Sequence, residues 1–161
     1  MNRRTTLRTA LLAATALTAS FAIAGCAAED SPAGGSDGKP ALSVSGAFMP
    51  EPVNGDMAGG FLVVKNGSDT ADKLTSVTST LSDDVQIHET KNQKMQQVRS
   101  MDVPANGELR LERGGSHMMF MGLKSKPKVG DKVAVELHFE KADPVKVELD
   151  VKERTYNPKH H

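Results

Sequence analysis

Two stretches near the end of the chain alternate with a period of two, and this limits the fold more than any other feature. Val133, Val135, Leu137 and Phe139 alternate with Ala134, Glu136, His138 and Glu140. Val145, Val147, Leu149 and Val151 alternate with Lys146, Glu148, Asp150 and Lys152. Successive side chains of an extended strand point to opposite faces, so this pattern builds a sheet with one buried and one wet face. The pattern reaches back to Pro40. Phe61-Leu62-Val63-Val64 is a short apolar run closed by Asn66-Gly67, Val85-Gln86-Ile87 leads into His88, and Leu109 and Leu111 alternate with charged residues after Asn106-Gly107. Asn-Gly pairs favour tight turns between strands. After position 26 no stretch of about 12 residues carries helical spacing. The expected class is all-β, an antiparallel sandwich or barrel of short strands.

A chain of 161 residues suits a single domain, at ~100–200 residues per domain. The sequence divides into an export signal over 1–25, a tether over 26–39, a β domain over 40–153 and a tail over 154–161. Arg3, Arg4 and Arg8 form a positive start, and an apolar stretch from Thr9 to Ala24 follows. That stretch is too short and too weakly hydrophobic to span a bilayer well. Ile23-Ala24-Gly25-Cys26 resembles the lipobox of bacterial lipoproteins. The resemblance implies cleavage before Cys26, lipid on its sulfur, and a protein anchored outside the cytoplasm on the bacterial cell membrane. The other reading is an ordinary secretory signal with a chance cysteine. Arg3-Arg4 followed by Leu7 faintly resembles a twin-arginine signal, although Thr6 stands where that signal prefers Phe, so both export routes stay open. Cys26 is the sole cysteine. Once it carries lipid, the mature domain has no thiol for a disulfide, for exchange or for a metal. Ala27 to Lys39 holds small, polar and breaker residues and reads as the flexible tether.

The formal net charge is zero, without long basic or acidic blocks, so nothing points to nucleic acid. Eight methionines stand against that one cysteine, and tryptophan is absent. Methionine often fills gaps in a core, so position has to decide its role. In His117-Met118-Met119-Phe120-Met121, strand geometry places His117, Met119 and Met121 on one face and Met118 and Phe120 on the other. Taken alone, this segment fits core filler with a loop-capping histidine. A second segment pairs His88 with Met95 across the wholly polar Glu89–Lys94, which reads as a hairpin loop. Two His/Met pairs from separate hairpins supply two imidazoles and two thioethers. This neutral, soft set suits copper(I), whereas zinc prefers imidazole, thiolate and carboxylate. Outside the cytoplasm methionine also avoids the disulfide oxidation that threatens a thiolate cluster.

The spacing Met95-x21-His117-x-Met119, with His88 upstream, resembles the periplasmic copper chaperone family written PCu(A)C. Ile87-His88-Glu89-Thr90, Val103-Pro104-Ala105, Gly114-Gly115, Met121-Gly122-Leu123, Gly130-Asp131 and Leu137-x-Phe139-Glu140 also fit. The similarity runs from about Ala41 to Val151. It implies a cupredoxin-like Greek-key β-sandwich that binds one copper(I) through His88, Met95, His117 and Met119. It also implies delivery toward the copper centre of cytochrome c oxidase, with that subunit or a Sco-type carrier as partner, and a monomer. One departure stands out: six residues separate His88 from Met95, where the family places about ten.

Other residues receive plainer readings. His138 lies on a wet face and is solvated. His160 and His161 are either free tail or an exposed copper(II) site. Met49 and Met57 are core or loop filler, with a role near copper as the alternative. Met101 packs. Met121 shares the ligand face but stays outside the ligand set. Lys124, Lys126 and Lys128 form a solvated turn. A blue-copper electron carrier needs a cysteine thiolate, which the mature domain lacks. No thiol nucleophile, Ser-His-Asp signature or three-His zinc set argues for an enzyme, and four ligands leave no open position for substrate. An immunoglobulin-like binding module with incidental histidines does not account for the paired spacing. A buffering or resistance protein using the same site is the alternative to a chaperone.

Overall fold

A computed structural model describes residues 39–158. Cys26, the export signal, most of the tether, and His160 and His161 lie outside the described residues. Among the described residues there are ten strands and no helix. They are β1 (Leu42–Pro50), β2 (Met57–Asn66), β3 (Asp72–Ser79), β4 (Asp84–Lys91), β5 (Lys94–Val98), β6 (Met101–Val103), β7 (Glu108–Leu111), β8 (His117–Met121), β9 (Lys132–Phe139) and β10 (Val145–Lys152). Hydrogen bonding joins them in the order β5-β4-β8-β2-β1-β10-β9-β3-β6, with β7 added alongside β2.

This ladder folds over itself. Leu74 and Val77 of β3, far along it, share one buried cluster with Ile87 of β4 and with Met118 and Phe120 of β8. Two layers therefore enclose one core, which the inner positions of the alternating strands fill: Val133, Val135, Leu137, Leu149 and Val151 are all buried. Pairing is antiparallel except between β1 and β10, which run parallel. The expected purely antiparallel arrangement is corrected there: β10 arrives beside β1 from the far layer and has no hairpin to set its direction.

Two local features shape the face that matters below. Gly46 takes φ +61° at a bulge where the β1–β2 register shifts between Ser45 and Phe48. After it Met49 enters the core, and Phe48 stacks on Phe61 at 5.1 Å. Tyr156 meets Phe48 edge-on at 5.0 Å, and Arg113 Nη1 donates to the carbonyls of Arg154 (2.7 Å) and Tyr156 (2.9 Å). The first residues expected as tail are thus held against the sheet. At Gly60, opposite Met118 in the β2–β8 pair, the core is tightly filled: a Cβ there meets Phe120 at 2.8 Å, Met118 at 3.0 Å and Leu149 at 3.1 Å.

Candidate metal centre

The centre is built on the outward face of β4 and β8. These strands pair with His88 opposite His117, Gln86 opposite Met119 and Asp84 opposite Met121. Directly opposed residues of an antiparallel pair share a face. Asp84, Gln86, His88 and Thr90 therefore line up with His117, Met119 and Met121, while Ile87, Met118 and Phe120 face the core. The division of His117–Met121 into two faces follows the sequence expectation. Met118 and Phe120 are fully buried, and Met119 and Met121 are half-buried.

The two imidazoles lie with ring centroids 5.5 Å apart, and each is held by one hydrogen bond that fixes its proton. His117 Nδ1 lies 2.9 Å from the carbonyl of Gly115. A carbonyl only accepts, so Nδ1 carries hydrogen and Nε2 keeps its lone pair. That carbonyl also accepts from Thr90 Oγ1 at 2.9 Å, which ties β4 to the turn before β8. The turn itself rests on Gly114 at φ +80°. On β4, Gln86 Nε2 donates to Asp84 Oδ2 at 2.9 Å, so its Oε1 faces His88 Nε2, also at 2.9 Å. His88 must donate there, and its Nδ1 keeps the lone pair. Burial first, and then the neighbouring His117, hold His88 below the ordinary imidazole range. The shift favours the uncharged form, which a metal ligand needs.

Met119 stands beside His117 on the same strand face and diagonal to His88, within reach of both. The two imidazoles and the thioether thus share one patch of the sheet face. Among the described residues no group of three or more His, Cys, Asp or Glu gathers for a metal. The candidate donors on this face are histidine with methionine, a set that suits a soft monovalent ion.

Met95 is placed differently from the other three. The polar stretch Glu89–Lys94 is not a loop. β4 continues to Lys91, β5 begins at Lys94, and Asn92 (φ 51°) and Gln93 (φ 61°) form a two-residue turn. Positive φ at both turn positions suits the right-handed twist of the flanking strands. The stretch reads as loop because the hairpin's far end is exposed and needs no apolar alternation. Met95 pairs with Thr90, and Gln97 pairs with His88. Met95 shares the site's face, but it lies beyond the histidine pair on the side away from Met119. In a flat sheet their Cα atoms stand about 17 Å apart, from spacings of ~4.8 Å between strands and ~3.4 Å per residue. Met95 is 64% exposed. Met95 is diagonal to His88 across β4–β5, as Met119 is across β4–β8, but it lies on the far side of His88 from His117 and Met119.

The remaining candidates fall into place. Met49 and Met101 are core residues. Met57 is exposed and pairs with Met121 on the site's own face. His138 contacts Thr78 Oγ1 at 3.1 Å and lies 3.7 Å from Glu136, away from the centre. The sequence reading passed over Gln86, Asp84 and Thr90, although their even-numbered spacing from His88 on one strand face was there to find them.

Solved structures similar to this chain include the copper(I) form of DR1885 from Deinococcus radiodurans, determined in solution. It is 26% identical, with a TM-score of 0.58, and the match covers 73% of this chain and 80% of that one. The apo PCuAC domain of PmoF1 is 25% identical, with a TM-score of 0.64, covering 70% and 93%. The copper-bound PCuAC domain of PmoF2, at 24% identity and a TM-score of 0.63 over 70% and 92%, speaks to the fold alone. The expected cupredoxin-like β fold and likeness to PCu(A)C domains are both found. "Putative lipoprotein Lxx21020" of Leifsonia xyli subsp. xyli is 37% identical over 157 residues, spanning 92% of this chain and 93% of its own. The family described as "Putative lipoprotein LpqE-like" matches residues 42–151, most of the chain, and this protein belongs to that LpqE-like family.

Proposed function

We propose that this protein is an extracytoplasmic copper(I) carrier, tethered to the cell membrane by lipid on Cys26, that binds one copper and passes it on. The observation that carries the reading is the pair His88 and His117, each with one nitrogen engaged and one lone pair free, beside the thioether of Met119. The copper(I) form of DR1885 supports it by likeness. Met95 completes the ligand set when the tip of the β4–β5 hairpin curls over the ion. β5 is the end strand of the ladder, bonded along β4 alone, so little opposes that movement. A mobile fourth ligand suits transfer, because a partner's ligand can take its place while three others still hold the ion. The acceptor is the copper-centre subunit of cytochrome c oxidase or a Sco-type carrier.

Transfer tests the reading. Stopped-flow mixing of the copper-loaded full chain with an isolated oxidase copper-centre domain gives a rate that rises with acceptor concentration and exceeds spontaneous release. A rate equal to dissociation and independent of acceptor marks a passive store.

A further inference from the structure

Three methionines occupy adjoining outward positions one step from the histidine pair, and the centre described above uses one of them. Met57 on β2 pairs directly with Met121 on β8, and Met119 pairs with Gly59. Directly opposed side chains lie about 5 Å apart at Cβ, and diagonal ones about 7–8 Å apart. Met57 and Met121 therefore face each other, and both adjoin Met119, along the strand from Met121 and diagonally from Met57. Gly59 contributes no side chain at the fourth corner, and the ring of Phe61 lies over it, 3.3 Å from a Cβ built there. Asp84, opposite Met121, sets a carboxylate at the edge of the same row. Met57 is 46% exposed, and Met119 and Met121 are half-buried. The triangle is open to solvent, unlike Met49, Met101 and Met118 in the core.

We propose that Met57, Met119 and Met121 form a second, weaker station for a soft monovalent cation, with copper(I) as the ligand. Three unbranched thioethers with free rotamers can close on one ion in a trigonal arrangement, and sulfur of this kind selects copper(I) over zinc or calcium. The carboxylate of Asp84 favours a cation there without having to ligate it. Met119 belongs to both stations. Once Met95 has let go, an ion leaving the histidine pair keeps the sulfur of Met119 throughout and exchanges His88 and His117 for Met57 and Met121. Met57 lies at the exposed end of this path and offers an acceptor a second point of access, besides the one at Met95. As a description of transfer this rests on the proposed copper function; as a binding site it stands on the three side chains alone.

The test is methionine methyl NMR of the full chain, purified in detergent with 13C at the methionine methyl groups, during anaerobic titration with copper(I) supplied as its acetonitrile complex. The first equivalent shifts Met95, Met119 and the ring signals of His88 and His117. The second shifts Met57 and Met121 and moves Met119 again as it passes from the first ion, still held by His88, His117 and Met95, to the second, while the core residues Met49 and Met118 stay fixed. The double substitution Met57→Leu with Met121→Leu keeps side-chain volume and so the fold. It leaves the first step unchanged and weakens the second by about tenfold or more, as the loss of ligands requires. Met57 and Met121 signals as still as Met49 through two equivalents overturn the second station and leave the histidine centre intact. Shifts at Met57 and Met121 with none at His88 and His117 support the station and overturn the centre.

Discussion

On β9 and β10 the outward side chains are charged: Lys132 lies 3.2 Å from both Glu148 and Asp150, and Lys146 lies 3.8 Å from Glu136. On β4 and β8 the outward side chains are mostly neutral: Gln86, His88 and Thr90 share a face with His117, Met119 and Met121, and Asp84 stands as a carboxylate at the edge. Both pairs of strands bury their inner residues in the same core. Their difference lies wholly in the positions that packing leaves free. Exposed ion pairs add little stability, so the β9–β10 surface serves solubility. A row of histidine and methionine half-hidden on a sheet contributes little to solubility or core, and the proposed copper site gives it a use. The comparison teaches that in this fold the inward alternation specifies the scaffold and the outward residues specify the use.

If that division is right, substitutions on the two faces of one strand separate stability from binding. The largest effect is expected inside. Phe120→Ala on β8 removes a fully buried ring and should cost about 3–5 kcal/mol of folding stability, read from denaturant midpoints, while protein that remains folded still binds one copper(I). Gly60→Ala tests the same core from the other side. Its new methyl meets Phe120 at 2.8 Å, and overpacking should cost about 1–3 kcal/mol with copper affinity retained. A large loss of affinity in either variant, measured per folded molecule, erases the distinction between the faces.

Outward changes on β4 should do the reverse. Gln86→Leu releases His88 from its orienting bond and should weaken copper(I) binding by about tenfold or more, the scale of losing a supporting contact to a metal-binding histidine. The denaturant midpoint should hardly move. Histidine ring NMR adds a direct readout, since the variant should lose the single protonated tautomer that Gln86 now imposes.

A smaller effect concerns acidity. His88 is held below its ordinary value by burial and then by His117. Between that lowered value and the ordinary 6.5, the unfolded chain binds more protons than the native one, so copper-free stability falls as pH drops through this window and levels off below it. Denaturant midpoints across the window should show the slope, and His88→Ala should flatten it. The smallest effect belongs to the charged surface: Lys132→Ala should leave both melting temperature and copper affinity within experimental error.

The sequence made the inner half of this account readable and the outer half less so. Alternation in Val133–Phe139 and Val145–Val151 marks core-facing strands because burial demands apolar residues at every second position. The two faces of His117–Met121 follow from the same rule. The course of Glu89–Lys94 does not, because the end of an edge hairpin is exposed on both sides and its strands carry no apolar signal. The register that sets Met95 opposite Thr90 depends on a turn of Asn92 and Gln93, whose backbone conformation residue types alone leave open. The parallel meeting of β1 with β10 is likewise a matter of how distant segments pair, which no local pattern encodes. Gln86 and Asp84 gain their role only from standing beside His88 on a strand that continues past it.

Competition for copper(I) against a chromophoric chelator tests most directly whether the outward histidine pair holds one copper(I). The full chain should withdraw one equivalent tightly. The double variant His88→Ala with His117→Ala should withdraw none at the same chelator concentration, although its core, and hence its denaturant midpoint, is little changed. A double variant that still takes one tight equivalent contradicts the account and places copper elsewhere on the molecule.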